Sequence, residues 1–136
     1  MPGPARSLLI PPISAASPTP LYQQIVDGIT REISEGRLAP GTPLPSFRVL
    51  AEELLVSLIT VKRAYEDLER EGIIYRRQGL GTFVSDKADD RSRDSKASRA
   101  RDLLREAVRE AREAGLRDKD VAELLQTAFR ESKKVS

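Results

Sequence analysis

The stretch YRRQGLGTF, Tyr75 to Phe83, sets two arginines ahead of a Gln-Gly-Leu-Gly loop. Lys62 and Arg63 form a second basic pair upstream, and a single Arg48 stands two residues after Ser46. Guanidinium and ammonium groups are donors without acceptors, and beside exposed backbone amides they suit phosphate oxygens. The rest of the composition narrows the chemistry by exclusion. The chain contains no histidine and no cysteine. Histidine-based acid–base catalysis, thiolate nucleophiles, disulfides and zinc fingers are therefore ruled out. Gly79-Leu80-Gly81 alone is too short to serve as a nucleotide-binding fingerprint. No enzyme activity, metal or cofactor is expected, and a binding role, to a polyanion or to a protein, is favoured.

Charge arrangement must carry that reading, because charge excess does not. The 136 residues carry a net charge of +2. From Thr19 to Ser85, eight basic residues face nine acidic ones, 8 − 9 = −1.

The elements that position these groups follow from periodicity. Thr19 is placed to cap a first helix with Pro20 at its first position. Leu21, Ile25, Ile29 and Ile33 then recur every four residues, Val26 widens the stripe, and Gly36 ends the helix. RLAPGTPLP (37–45) has three prolines and one glycine, so it must be an extended, turning connection. Ser46 caps a second helix with Leu50, Ala51, Leu54 and Leu55 on one face. Val56 and Ser57 make a tight corner, with Ser57 as the next cap. The third helix runs to about Glu71, with Val61, Ala64, Tyr65 and Leu68 at i, i+3, i+4, i+7, and Gly72 closes it. GIIYRR and TFVS read as two short strands joined by QGLG.

Outside this block, five prolines interrupt residues 1–18, which reads as a flexible arm rather than a signal peptide. Residues 86–96 are charged and aperiodic, as in a linker. Two further amphipathic helices are expected over 97–136. Leu104, Ala107, Val108 and Ala111 stripe the first; Asp118 caps the second, which carries Val121, Leu124, Leu125, Ala128 and Phe129. Short helices of this kind need a partner surface. The fold class is mostly α, formally α+β.

At about 100° per residue, the outer face of the third helix begins with Ile59, Thr60, Lys62 and Arg63 and turns acidic at Glu66, Asp67, Glu69 and Glu71. A helix entering a major groove by its N-terminal end needs that polarity. Ile59 can touch a thymine methyl. Arg48 and the start of the second helix suit the phosphate backbone. Arg76 and Arg77 can flank the backbone while the QGLG loop, with Gln78 and Gly79, enters a minor groove. Each feature alone also fits an ordinary solvated surface, or a salt bridge for Arg48. Their convergence on one face favours double-stranded DNA.

The residues from Leu44 to Val84, LPSFRVLAEELLVSLITVKRAYEDLEREGIIYRRQGLGTFV, resemble the winged helix-turn-helix of GntR-superfamily bacterial regulators. PLYQQIVDGI resembles that module's first helix. KRAYEDLEREG is most similar to the YtrA branch, in which a short tail of two helices dimerises. The resemblance implies a DNA-binding domain over 19–85 and a dimerisation segment over 97–136. It further implies a cytoplasmic homodimer on a palindromic operator, repressing a transporter operon or a neighbouring gene. Its DNA contacts fall on Arg48, Thr60, Lys62, Gln78 and Gly79, with Ser46, Ser57 and Arg63 beside them. Phe47 stands where the family often has glutamate, Leu55 where a turn glycine is usual, and Leu58 and Ile59 where arginine or proline and a polar residue are common. Leu58 lies close to the buried arc. The two tail helices are read as dimerising alone, since four short helices leave little room between subunits for a small effector of unknown identity. The competing expectation is a winged-helix docking module without specific DNA binding.

Overall fold

A computed structural model describes residues 13–135, so most of the proline-rich arm, residues 1–12, lies outside the described residues. Residues 13–18 are not loose. The Ser14 amide donates to Gln24 Oε1 at 2.9 Å, Gln24 Nε2 donates back to the Ser14 carbonyl at 2.9 Å, and Ile13 packs on the core.

The element order is α1 (Leu21–Ser34), α2 (Phe47–Leu54), α3 (Leu58–Arg70), β1 (Ile74–Arg77), β2 (Gly81–Val84), α4 (Ala88–Glu113) and α5 (Asp118–Val135). The architecture is a winged helix-turn-helix followed by two helices. The chain forms two compact units, one ending at Ser95 and the other beginning at Lys96. No helix among the described residues is long and apolar enough to cross a membrane.

In the first unit, α3 is the hub, packing against α1, α2 and β1. Its buried stripe of Val61, Ala64, Tyr65 and Leu68 meets Ile25, Ile29 and Ile33 of α1 and Leu50 and Ala51 of α2 in one core. Ile73, Ile74 and Val84 close that core from the hairpin side. The strands pair antiparallel, Ile74 with Val84 through Arg77 with Gly81. The end of the proline-rich connection runs along the outer edge of β2. The Leu44 amide donates to the Thr82 carbonyl at 2.8 Å and the Val84 amide to the Thr42 carbonyl at 3.0 Å. Pro43 pairs with Phe83 between those two bonds, so its missing N–H faces away from β2 and costs no ladder bond.

The helix ends follow one design. At α1, α3 and α4 a glycine with positive φ (Gly36, Gly72, Gly115) stands just past the last turn. The two amides there bond back to carbonyls of that turn, as in Ile73 to Leu68 at 2.9 Å. α2 ends the same way, but Leu55 takes the left-handed position at φ 57° and is 91 % exposed. Leu55 is therefore not part of the apolar face expected for the second helix. Leu58 is also exposed rather than core, at the first position of α3.

Three boundaries shift from expectation. The cap of α1 is Pro20 without a side-chain bond, so Thr19 does not cap. At α5 the cap position falls on Arg117, whose amide donates to Asp120 Oδ2 at 2.9 Å; Asp118 is already helical. The larger change is at 86–96, where helix α4 begins at Ala88 instead of a linker. Ala88 and Ser92 are buried one turn apart, and Asp89 and Asp90 stand at the positive end of the helix dipole. Asp89 and Asp90 pair with Arg93 at 3.6 and 2.6 Å. Small buried residues and ion pairs leave no apolar period to detect.

In the second unit, Leu104, Val108, Leu124, Leu125 and Phe129 are exposed, with Leu103 and Leu116 beside them. Ala107 and Ala128 are exposed too, whereas Ala111 and Val121 are half-buried.

Candidate nucleic-acid interface

The interface candidates rest on two capped helix starts and a hairpin tip. At α2, Ser46 takes an extended conformation and its hydroxyl accepts from the Val49 amide at 3.2 Å. At α3, Ser57 accepts from the Thr60 amide at 3.2 Å, and the two hydroxyls lie 2.8 Å apart. Each cap satisfies one orphan amide and leaves the other first-turn amides facing outward. Neither first turn contains an acidic residue, so nothing there repels a phosphate.

The hairpin turns over Gln78, Gly79 and Leu80. The Leu80 amide donates to the Arg77 carbonyl at 3.0 Å, and Gly79 sits at φ 77° in the third turn position, where a side chain is disfavoured. A Cβ built on Gly79 would meet no atom, so its role is conformational freedom rather than space. Leu80, within the QGLG loop expected to enter a minor groove, projects from the tip, 69 % exposed.

The start of α2 and this wing enclose a groove of about 430 Å3, whose walls include Ser46, Phe47, Arg76, Arg77, Gln78 and Gly79. Five of the expected DNA-contacting residues are thereby brought together. Arg48 is exposed on the same first turn of α2 and forms no ion pair among the described residues. Ile59, Lys62 and Arg63 are exposed on α3 and Thr60 is half-buried, but no contact joins them to the groove.

Aromatic rings hold two of the arginines. The Arg63 guanidinium lies 3.8 Å from the centroid of Tyr22, in the first turn of α1. It is drawn toward α1 rather than pointing freely outward. Arg76 lies 5.1 Å over the ring of Phe47. Phe47 in turn meets Tyr65 edge to face at 5.1 Å, and the Tyr65 hydroxyl donates to the Pro45 carbonyl at 2.8 Å. Burial, with Glu53 nearby, pushes the Tyr65 hydroxyl well above the ordinary tyrosine range, so it remains a protonated donor. On the outer face of the wing, Tyr75 and Phe83 stack at 5.6 Å. Sequence reasoning missed Tyr22 and the bracing role of Phe47. The replacement of a common glutamate by Phe47 was the signal available.

Residues 21–84 match the family model described as bacterial regulatory proteins, gntR family. The chain is 36 % identical over 104 residues to the HTH-type transcriptional repressor YtrA of Bacillus subtilis (strain 168), covering 76 % of this chain and 80 % of that protein. It is 45 % identical over 73 residues to the HTH-type transcriptional repressor NagR of the same organism, covering 54 % of this chain but only 30 % of that longer relative. Among solved structures, YtrA from Sulfolobus acidocaldarius, a GntR-family transcription factor, superposes with a TM-score of 0.56 at 35 % identity, covering 77 % of this chain and 97 % of that one. With the winged helix-turn-helix, the family match and the extended similarity to YtrA in agreement, the chain belongs to the GntR family of bacterial regulatory proteins and is a transcriptional regulator, not an enzyme.

Proposed function

We propose that this regulator is a homodimeric, sequence-specific repressor. In this reading it binds a palindromic operator in the cytoplasm and represses a transporter operon or a neighbouring gene. The observation that carries the reading is the pairing of two cation-bearing, carboxylate-free surfaces. One is the leading turn of α3, with Ile59 and Lys62 exposed and Thr60 half-buried between them; the other is the groove between α2 and the wing. α3 enters the major groove by its N-terminal end, with Ile59 available to a thymine methyl and Thr60 to a base edge. Lys62, Arg48 and the amides at the two capped helix starts take phosphates. The wing follows the backbone, with Arg76 and Arg77 beside it and Gln78 and Gly79 at the minor groove. Arg63, stacked on Tyr22, is a backbone contact rather than a base reader.

Dimerisation is assigned to residues 97–136, through the uncovered Leu104, Val108, Leu124, Leu125 and Phe129, together with Ala107, Ala111, Val121 and Ala128. A two-fold partner presenting the same helices would cover them as a bundle. A small effector is not needed for this assembly.

The test is a salt titration of operator binding. Lys62→Ala and Arg48→Ala each weaken binding, lower the salt slope by about one unit, and leave thermal stability nearly unchanged. Parent-like binding by both variants across the titration would sink the proposed face.

A further inference from the structure

Among the six aromatic side chains of the chain, Phe47 bridges a core ring and a wing arginine. Its ring joins three elements. It meets Tyr65 of α3 edge to face, it belongs to the first turn of α2, and it lies under the guanidinium of Arg76 on β1. Tyr65 is itself locked, fully buried and bonded to the Pro45 carbonyl two residues before Phe47. Arg76 follows the buried Ile74 by two residues and so shares the strand face turned toward the domain. Its charge would otherwise sit on a long, rotamer-rich side chain that must be ordered whenever it contacts a ligand.

We propose that Phe47 is a positioning residue for DNA binding: braced by Tyr65, its ring holds the Arg76 guanidinium at the mouth of the groove, so that the wing and the start of α2 meet the duplex as one preorganised surface. This rests on the DNA-binding reading above. A ring face attracts a guanidinium through its quadrupole, whereas an aliphatic side chain of similar bulk fills the space without that attraction. The groups flanking the stack are the groove residues Ser46, Arg77 and Gln78, so no carboxylate on the groove competes for Arg76. Glutamate at position 47 would place one there. This chain instead orients the arginine and leaves its full charge for phosphate.

The experiment uses the full chain and a duplex selected by the parent protein from random oligonucleotides. Phe47→Leu keeps apolar bulk and should weaken binding about two- to five-fold, the size of an exposed or partly exposed cation–π contact. Phe47→Trp, with a larger π face, should recover most of that loss. In an Arg76→Ala background neither substitution should change affinity further. An undiminished Phe47→Leu loss in that background would make Phe47 merely structural and overturn the proposal; so would parent-like binding by Phe47→Leu itself. A second readout needs no DNA. The Arg76 Nε–H resonance of the free parent should be shifted upfield by the ring relative to Phe47→Leu, or relative to Phe47→Ala if the leucine variant does not fold. Absence of that shift overturns the clamp. If the parent retained no duplex at any salt concentration, the DNA-binding reading would fall instead, and the resonance would still decide the contact.

Discussion

Removing the Tyr65 hydroxyl, as Tyr65→Phe, probes how α3 is joined to the start of α2. The ring is 1 % exposed, and its hydroxyl donates at 2.8 Å to the carbonyl of Pro45, the residue before the Ser46 cap. Phenylalanine fills nearly the same volume, so the cavity cost is small. The principal loss is one buried hydrogen bond, with the Pro45 acceptor left unpaired inside the domain. A buried, orphaned polar group costs about 1–3 kcal/mol. Taking the lower half, about 1–2 kcal/mol, a domain of this size should melt roughly 4–16 °C lower. Calorimetry or circular dichroism at one fixed protein concentration measures this, because a dimer's melting point moves with concentration. Alkaline pH gives a second readout. Burial raises the folded-state pKa of Tyr65 above its unfolded value near 10, so the unfolded chain releases that proton first. The Tyr65 contribution is therefore intact below about pH 10 and fades as pH rises beyond it, a component that Tyr65→Phe lacks. A melting point within a degree or so of the parent, with an unchanged alkaline limb, would refute the joint.

Three further outcomes are expected. Leu55→Gly should stabilise the first unit by up to about 1 kcal/mol in thermal melts. It relieves left-handed strain of about 1–2 kcal/mol at φ 57° against an unfolded-state entropy cost of about 0.4–1 kcal/mol; a lower melting point would contradict it. Glu32, buried at the end of α1, has its pKa lowered chiefly by the hydrogen bond from Arg37, at 2.7 Å, and then by the Arg37 charge opposing its desolvation. Its stabilisation is thus complete above the unfolded glutamate value of about 4.3 and is lost as pH falls through the depressed folded value. Acid titration of Glu32→Gln should accordingly show a shallower limb below pH 4.3. Phe129→Glu, on the uncovered face of α5, should convert the sedimenting species to a monomer at micromolar concentration and weaken operator binding. An unchanged sedimentation coefficient would remove Phe129 from the dimer surface.

The winged helix-turn-helix was legible because its signals are local and redundant. The four-residue spacing of Ile25, Ile29 and Ile33, the Ser46 and Ser57 caps, and Gly72 after α3 each specify a boundary within a few bonds. The exposed start of α3 was legible for the same reason, since a helix of known period divides its residues between two faces. Beginning α4 at Ala88 was not. Its evidence in the sequence is two small residues four apart and acid–base pairs around Arg93, which resemble a polar linker until a surface exists to bury Ala88 and Ser92.

The sequence by itself determined the inward stripes of α1 and α3, where the chain must bend, and that its basic groups are donors without acceptors. Tertiary structure alone decided which donors are held and by what. Arg63 and Arg76 read alike on a list of basic residues, yet one lies over Tyr22 and the other over Phe47, each ring coming from a different helix and neither a sequence neighbour. The physical reason is range. Caps, turns and periodicity act over a few residues, while a ring beneath a guanidinium exists only after packing has brought distant segments within about 6 Å.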